Sequence, residues 1–441
     1  MITFKALSLV LSLLPGQQDV LSVDEAVVIA LRNSYAVKNA QETVESNEQK
    51  VREAKGSIGP NLKTSYQYIR YGHAQTGDIG GTTITFAPLD SNIWTNSLTM
   101  PIDISGTSKA NIKSAKAGVE ASRNTKTATQ NDLKQNVRKG YLAVLRAKGL
   151  VDVSRQAVVN IEARVDQAQK QFNAGAIAKI DLTRLQAQKV AADADVITAQ
   201  NSLTVAKQQL NLAMSRPIET EFDVATLSST PTVEAPQEKL IALGQGNRPE
   251  ALSFKNTLIA LDAAKKYAGA GMNPSLNLSV QNQQTLDPVG LSPQREVNTS
   301  ALMLTVPIYD SGVARARMKQ TDATIHQTQN NLDALKLSIS QEVRSAITNM
   351  LNAQARQKSA VEQNELAKEV VRIARIRRDA GEGTVLEIID AETTYVTAQN
   401  NLINATYDYL SAFADLQRAV GADDIEATLK QFEEEQMRGK K

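Results

Sequence analysis

Two repeating patterns of apolar and polar positions run through the chain, and the first is typical of long helices. Apolar side chains at Val158, Ile161, Val165, Ala168 and Phe172 are separated by alternating steps of three and four residues, which is the seam of a coiled coil. The pattern predicts two helical hairpins, with long helices over 108–172 and 313–379 and shorter partner helices over 180–214 and 385–420. At ~1.5 Å per residue, each long helix spans roughly 100 Å. A rod of that length must pack against other rods rather than fold into a globule.

Four short segments alternate with a period of two instead, which predicts strands. In one of them, Leu276, Leu278 and Val280 alternate with Asn277 and Ser279. The segments form two predicted hairpins, over 62–104 and 275–309, with connecting loops rich in Gly, Thr, Asp and Pro. Because ~9–11 tilted residues cross a bilayer, we interpret these segments as membrane strands. A hairpin with both faces in water is the alternative interpretation.

Aromatic residues are concentrated in the first of these hairpins. They make up only 4% of the chain, yet Tyr66, Tyr68 and Trp94 all lie there, as aromatic residues do at a membrane interface. The smallest strand number that closes a barrel is about eight, and an open sheet edge is not tolerated in lipid. Four membrane strands must therefore be pooled between chains, and three chains would supply twelve.

The sequence contains an internal duplication. From Pro101 to about Ser215 it matches a segment 206 positions further on, so that Pro101 corresponds to Pro307 and Gly175 to Gly381. Ahead of the strands the offset is 214, so the first copy is longer within its hairpin. The predicted organisation is a signal peptide over 1–20, a first repeat over 21–215, a connecting segment over 216–236, a second repeat over 237–421 and a charged tail over 422–441.

The first residues indicate export. Lys5 is followed by a nine-residue apolar run and then Pro15, which is typical of a short secretory signal peptide. A buried N-terminal strand or helix is the alternative. No later stretch approaches the ~20 apolar residues of a transmembrane helix, so we expect any membrane-spanning part to be built from strands.

Composition excludes several other classes of protein. The 49 basic and 47 acidic residues nearly cancel, so there is no basic footprint for nucleic acid. The absence of cysteine excludes disulfides, thiolate metal sites and a lipidated N-terminal cysteine. No spacing of titratable residues indicates a catalytic set or a metal site. We therefore expect a protein that is not an enzyme and uses no cofactor and no metal.

Short motifs at the element boundaries resemble a known family. The strand exits at 101–106 and 307–312, the helix turns at 172–177 and 379–384, and the helix start at 387–392 are similar to motifs of the outer membrane efflux protein (TolC-like) family. No single motif is diagnostic. Together with the duplication, however, they extend the resemblance over nearly the whole chain.

The resemblance implies a mainly α protein with a small β part, in which three protomers form a 12-stranded outer-membrane β-barrel that continues into a long periplasmic α-barrel. It implies an outer-membrane channel that serves as the exit duct of a tripartite efflux pump or type I secretion system for small molecules or polypeptides. The implied partners are two further copies of the chain, a periplasmic adaptor (membrane fusion protein), an inner-membrane transporter of RND or ABC type, and outer-membrane lipid. The segments 216–236 and 422–441 would form a belt around the α-barrel.

The resemblance also places function at the two helix turns, where small residues would receive the adaptor. Gly175 and Gly381 each follow a long helix and supply the positive φ that turning the chain requires. A plain helix C-cap is the alternative for both. The candidate docking residues are Ala174, Gly175, Ala176, Ile177, Ala380, Gly381 and Gly383.

Three carboxylates just beyond the turns are candidates for a gate: Asp181, Glu387 and Asp390. Glu387 and Asp390 are three positions apart and therefore share one helix face. In a three-fold assembly each would become a ring of three carboxylates that favours cations. A carboxylate in the first turn also complements the helix dipole, which alone would account for Asp181 and Glu387.

A closed gate also needs a contact that holds it shut. In the family, the position of Asp181 is a carboxylate that pairs with a basic residue on the second tip. This chain departs from that pattern, because Gly383 stands at the basic position. Our hypothesis is that Arg377 or Arg378 is tethered to Asp181 instead.

Two other classes of protein compete with the channel. A periplasmic adaptor also contains a helical hairpin, but usually a single hairpin within a β-rich chain. A structural coiled coil without a pore would leave four amphipathic strands at paired repeat positions unexplained. The exported substrate, the adaptor and the transporter stay open.

Overall fold

The computed structural model describes residues 20–226 and 235–438. The predicted signal peptide lies outside this part of the chain, apart from its last residue, and so does the middle of the predicted connecting segment. Within the described ranges, no helix has the length and apolarity needed to cross a membrane. The helices are α1 (Val23–Asn33), α2 (Tyr35–Gly56), α3 (Thr107–Asn173), α4 (Lys179–Ala213), α5 (Gln237–Asn247), α6 (Pro249–Ala268), α7 (Val313–Asp379), α8 (Val385–Val420) and α9 (Ile425–Arg438).

The long helices lie where the coiled-coil pattern predicts them. Predicted over 108–172 and 313–379, they are observed as α3 (Thr107–Asn173) and α7 (Val313–Asp379). Each begins directly after a glycine with positive φ, +72° at Gly106 and +84° at Gly312. At the start of α7, the Asp310 carboxylate accepts from the backbone N–H groups of Gly312 (2.9 Å) and Ala314 (2.7 Å). These donors lower the pKa of the Asp310 carboxyl and satisfy N–H groups that the helix cannot.

The sequence pattern predicts that each repeat begins with one amphipathic helix, roughly over 23–55 and 237–268, and the structure divides each of these helices in two. In the first copy, α1 and α2 are separated by Ser34, whose φ of −54° and ψ of 123° are not helical. In the second copy, α5 and α6 are separated by Arg248, which is extended with ψ of 128°. The residue that follows is Pro249, and proline disfavours the helical region for the residue before it.

The four predicted membrane segments form one antiparallel sheet. Its strands are β2 (Asn61–Arg70), β5 (Asp90–Ile102), β7 (Ser275–Thr285) and β8 (Glu296–Thr305), in that order across the sheet. The two hairpins meet through β5 and β7, where Trp94 pairs with Gln284. The outer edges of the sheet are therefore β2 and β8.

The predicted loop between β2 and β5 contains a further hairpin. Strands β3 (Gln75–Ile79) and β4 (Thr82–Ala87) pair around Gly80 and Gly81. Both glycines have positive φ, +61° and +83°, as a type I′ hairpin turn requires. This hairpin falls in the region where the first copy is longer than the second.

The described chain falls into two compact units. The first comprises residues up to Asn39, Thr127–Arg248 and residues from Leu337, and the second comprises Ala40–Lys126 and Pro249–Lys336. The second unit contains the four-stranded sheet. Within the predicted charged tail over 422–441, helix α9 (Ile425–Arg438) belongs to the first unit, where the Phe432 ring lies against Gly246 of α5.

A short parallel ladder closes one side of the core of the first unit. Strands β1 (Val20–Leu21) and β6 (Asp223–Val224) pair, and the fully buried Tyr141 of α3 lies beneath them. Its hydroxyl lies 2.8 Å from the Leu21 carbonyl and 2.7 Å from the Ala225 carbonyl. Burial raises the pKa of the Tyr141 phenol.

Candidate functional site at the helical tips

The two turns that join the helices of each hairpin have the same backbone geometry. At the first tip, Gly175 has φ of +72°, its N–H donates to Phe172 O (2.9 Å), and the N–H of Ala176 donates to Gln171 O (2.8 Å). These two bonds form a Schellman motif, which satisfies carbonyl groups at the end of α3. Ala174 and Ala176 are both exposed here.

At the second tip, the corresponding bonds run from Gly381 N–H to Arg378 O (3.0 Å) and from Glu382 N–H to Arg377 O (2.9 Å). Gly381 has φ of +80°, and Ala380 is exposed. The two copies of the predicted repeat therefore turn in the same way, at positions 206 residues apart.

Two of the predicted docking residues are not freely exposed. Ile177 is half-buried and packs against an apolar cluster that includes Ile161, Leu182 and Leu185. Gly383 is held against the chain that precedes it, because a Cβ there would lie 2.9 Å from Arg378 N. The close backbone approach gives a physical reason for glycine at the position where the resemblance implies a basic residue.

The helices that leave the tips begin differently. Thr384 caps α8, and its hydroxyl accepts from the N–H of Glu387 (3.2 Å). Ala178 precedes α4 and provides no side-chain cap. Asp181 and Glu387 each lie in the first turn of their helix, where a carboxylate stabilises the positive end of the dipole.

The two candidate tether arginines have different partners within the protomer. Arg377 Nη1 lies 3.4 Å from Glu387 Oε2, and Arg378 Nη2 donates to Gln171 Oε1 (3.3 Å). Among the described residues of the single chain, neither guanidinium is bonded to Asp181. If Arg377 or Arg378 is tethered to Asp181, as we hypothesise, the contact must therefore form between two protomers.

Glu387 and Asp390 line one groove of about 400 Å³ between α7 and α8, together with Arg377. Val370, Ile373 and Ala391 supply apolar walls. One cation and two carboxylates thus face the same space. The groove carries a net negative charge that a cation would offset.

Sequence reasoning missed a partly buried ion-pair network beside this groove. Glu392 of α8 pairs with Arg164 of α3 and, at 3.0 Å, with Arg375 of α7. Its side chain is only 13% exposed. Arg164 is 228 positions away from Glu392 in the sequence, and Arg375 lies 17 positions earlier on the other side of the tip, so no helical spacing shows the network. A carboxylate at 392 where the first copy has Gln186 was the one available signal.

The predicted interface aromatics lie together on the sheet. The rings of Tyr66 and Trp94 meet edge-on with centroids 6.1 Å apart, and Tyr66 OH donates to Asn92 (2.5 Å). Tyr68 OH donates to Asp90 (2.6 Å). All three aromatic side chains are exposed, with an apolar body and a polar tip as a membrane interface requires.

Comparison with known proteins identifies the class to which this fold belongs. A family described as "Outer membrane efflux protein" matches residues 26–216 and again 242–422. The chain belongs to the outer membrane efflux protein family. The predictions of an outer-membrane location and of an efflux or secretion channel are thereby confirmed.

Individual relatives agree with this assignment. The outer membrane protein TolC of Vibrio cholerae is 28% identical over 67% of this chain and 68% of that protein. The cobalt-zinc-cadmium resistance protein CzcC of Cupriavidus metallidurans is 22% identical over 91% of this chain and 90% of that protein. The CmeC outer membrane channel of Campylobacter jejuni shares the fold, with a TM-score of 0.75, 18% identity and coverage of 94% of this chain and 89% of that structure.

Proposed function

We propose that three copies of this chain assemble into one export duct, and that they pool their sheets into a single twelve-stranded barrel in the outer membrane. The observation that carries the proposal is the four-stranded sheet with free edges at β2 and β8. Successive strands are antiparallel, so β8 of one protomer and β2 of the next run in opposite directions. An antiparallel ladder between them would remove every open edge, as a bilayer requires.

The exposed faces of the edge strands support the same assembly. Leu62 on β2, and Leu302 and Leu304 on β8, are between 59% and 77% exposed in the single chain. Apolar side chains in these positions are stabilised by lipid rather than water. The proposed barrel would present them to the bilayer.

The helical parts of the two proposed repeats, 21–215 and 237–421, would form the wall of an α-barrel. The long helices carry apolar residues on one seam, while Leu337, Leu366 and Val370 of α7 are exposed in the protomer. Helices from neighbouring protomers would cover such positions. The segments 216–236 and 422–441 would surround this wall as a belt.

The tips are the proposed contact with a periplasmic adaptor, which would link the duct to an inner-membrane transporter. Ala174, Gly175, Ala176, Ala380 and Gly381 form small, exposed surfaces at both tips. Small side chains allow a partner backbone to approach closely. The half-buried Ile177 and Gly383 would support these surfaces from beneath.

The acidic groove is the proposed cation-selective constriction. Three protomers would place three copies of Glu387 and Asp390 around one axis, and rings of carboxylates favour cations. Arg377 offsets part of this charge in the protomer. The transported substrate would be a small molecule or a polypeptide.

Two measurements on the protein extracted from outer membranes test the proposal. Three copies of the 47.8 kDa chain give a native protein mass of about 143 kDa, and planar bilayers should show single channels that prefer cations. A water-soluble monomer, or a trimer that conducts no ions, would contradict the proposed function.

A further inference from the structure

The helix ends that adjoin the sheet of the second unit carry a marked excess of positive charge. The last eleven residues of α2 and α6 and the first eleven of α3 and α7 contain 11 basic and 4 acidic residues, a net charge of +7. The whole chain has a net charge of only +2, so the remainder is net negative. The basic residues are thus placed at the four junctions between helix and strand.

Exposed apolar residues lie between these basic segments and the strands. Ile104 connects β5 to α3 and is 49% exposed, while Ile308 and Tyr309 connect β8 to α7 and are 91% and 84% exposed. The order is therefore apolar strand, exposed Ile or Tyr, then Lys and Arg. The same order occurs where a protein crosses from hydrocarbon to phospholipid headgroups.

One groove gathers part of this charge into a concave site. It measures about 530 Å³ and is lined by Arg52 and Lys55 of α2, Lys113 and Lys116 of α3, and Ile259 of α6. This volume is typical of small-ligand sites. The groove is framed by helices that are bonded to one another, since Ser114 of α3 donates to Ala260 O of α6 (2.8 Å).

The two acidic side chains of the groove are paired with a single arginine, which offsets one of their two negative charges. Glu48 and Glu120 both pair with Arg123, at 2.8 Å and 2.7 Å. Among the described residues, the side-chain ammonium groups of Lys55, Lys113 and Lys116 have no hydrogen-bond or ion-pair partner. The guanidinium of Arg52 donates to the neutral Gln49 (3.3 Å). Four cationic groups therefore face the groove without a direct ion-pair partner, and its five basic and two acidic lining residues give a net charge of +3.

The groove lies close to the strands. Lys55 is six positions before the first residue of β2, and Lys113 is only six positions, about 9 Å along the axis, into α3. The walls formed by Val51, Val119 and Ile259 are apolar. A phosphate group with attached hydrocarbon matches both the charge and the walls.

We propose that this groove binds the phosphate headgroup of an anionic phospholipid from the inner leaflet of the outer membrane. Arg52, Lys55, Lys113 and Lys116 contact the phosphate, and the acyl chains follow the exposed apolar face of the sheet. The proposal rests on the proposed function, because it requires the strands to lie in the membrane. It adds a binding site for a lipid headgroup to a channel whose strands would otherwise contact only the acyl chains of the membrane.

The test counts lipids retained by the purified full-length trimer in native mass spectrometry, with phosphatidylglycerol and phosphatidylcholine of equal acyl length supplied in equal amounts. A basic residue near an anionic surface contributes roughly a fivefold preference, so the wild-type trimer should retain at least about five times more phosphatidylglycerol. The variant R52Q/K55Q/K113Q/K116Q should retain the two lipids nearly equally. The charge-conserving variant R52K/K55R/K113R/K116R should keep the preference.

A matched control removes the same charge elsewhere. The variant R344Q/R356Q/K358Q/K368Q loses four exposed basic residues from α7 and should keep the preference. Should the quadruple groove variant fail to assemble, the pairs R52Q/K55Q and K113Q/K116Q each remove half of the charge, and each should lower the preference severalfold.

Several results would overturn the lipid site. They are equal retention of both lipids by the wild-type trimer, equal loss in the groove and control variants, or displacement of the lipid by inorganic phosphate at equal concentration. If the quadruple groove variant loses binding to purified peptidoglycan but keeps the lipid preference of the wild-type trimer, the groove would be assigned to that polymer instead. A missing trimer contradicts the proposed function itself, whereas an intact trimer without lipid preference contradicts only the groove.

Discussion

Arg377 and Glu387 face each other across the second tip, with Nη1 and Oε2 3.4 Å apart. The pair joins the end of α7 to the first turn of α8, so it lies within one hairpin. It also places a cation beside the carboxylates that line the proposed constriction. Arg377 therefore reduces the negative charge of the groove in every protomer.

The variant Arg377→Gln should consequently make the channel more cation-selective. Both partners are about half exposed, so the pair contributes at most ~1 kcal/mol to stability, and the trimer should still assemble. Cation preference in planar bilayers should rise at low salt and return towards wild type at high salt, because screening weakens surface charge effects. Arg356→Gln is the matched control, because it removes the same charge from an exposed position of α7 away from the tip. Equal selectivity in both variants and wild type would exclude a role for Arg377 in the constriction.

The network around Glu392 predicts a larger structural effect. Glu392→Ala would leave Arg164 and Arg375 without their shared carboxylate, and Arg164 is only 19% exposed. Removing one partner of a fully buried ion pair costs about 3–5 kcal/mol, which is an upper limit for this partly buried network. Hydrogen exchange at the tips should therefore increase strongly, and channel conductance should rise as α3 loses its tie to α7 and α8. Gln186→Ala, at the corresponding exposed position of the first copy, should leave both properties unchanged, and similar behaviour of the two variants would argue against the network.

The glycines of the tips should differ in their tolerance of a side chain. Gly175 and Gly381 have positive φ but open space around Cβ, so replacement by alanine costs about 1–2 kcal/mol through the backbone alone. At Gly383, a Cβ would lie 2.9 Å from a backbone nitrogen, and the chain must move. Gly383→Ala should therefore destabilise its tip more than Gly381→Ala does, as measured by local hydrogen exchange. A smaller effect at Gly383 would show that the close approach is not a constraint.

The ladder between β1 and β6 should respond to acid. Lys148 Nζ lies 2.7 Å from Asp223 Oδ1 and lowers the pKa of the Asp223 carboxyl from its ordinary value of 3.8. Because the folded pKa is lowered, the pair stabilises the fold fully above about pH 4 and loses this contribution as the pH falls through the folded pKa. Asp223→Asn should make stability less dependent on pH in that range. The measurement is the temperature of thermal unfolding as a function of pH. Asp152→Asn, at an exposed position of α3, is the control. Identical pH profiles of the two variants would contradict a stabilising role for the Lys148–Asp223 pair.

The long helices were predictable because they depend on local periodicity. The pattern from Val158 to Phe172 gives the end of α3 to within one residue. The strand pairs were predictable from alternation, and the glycines at the tips from their position after each helix. These signals are contained in a few consecutive turns or strand residues.

Features that depend on contacts between distant segments were not predictable. Glu392 meets Arg164 from 228 positions away, and Leu21 meets Tyr141 from 120 positions away. The breaks at Ser34 and Arg248 interrupt patterns that otherwise continue as helix. The hairpin at Gly80 and Gly81 is an exception, because it lies in a predicted loop although a pair of glycines between polar and β-branched residues is a local turn signal.

The most direct measurement of the proposed assembly is a disulfide between the two edge strands. The chain has no cysteine, so a variant with Thr64→Cys on β2 and one cysteine at Asn298, Thr299 or Ser300 on β8 has no competing thiols. Because a disulfide requires Cβ atoms about 3.8 Å apart, oxidation in outer membranes should link neighbouring protomers only where the strands are in register. At least one pair should give covalent dimers and a trimer of about 143 kDa, three times the 47.8 kDa chain. If every pair gives only monomers, or a disulfide within one chain, then β2 and β8 do not meet between protomers and the pooled barrel is contradicted.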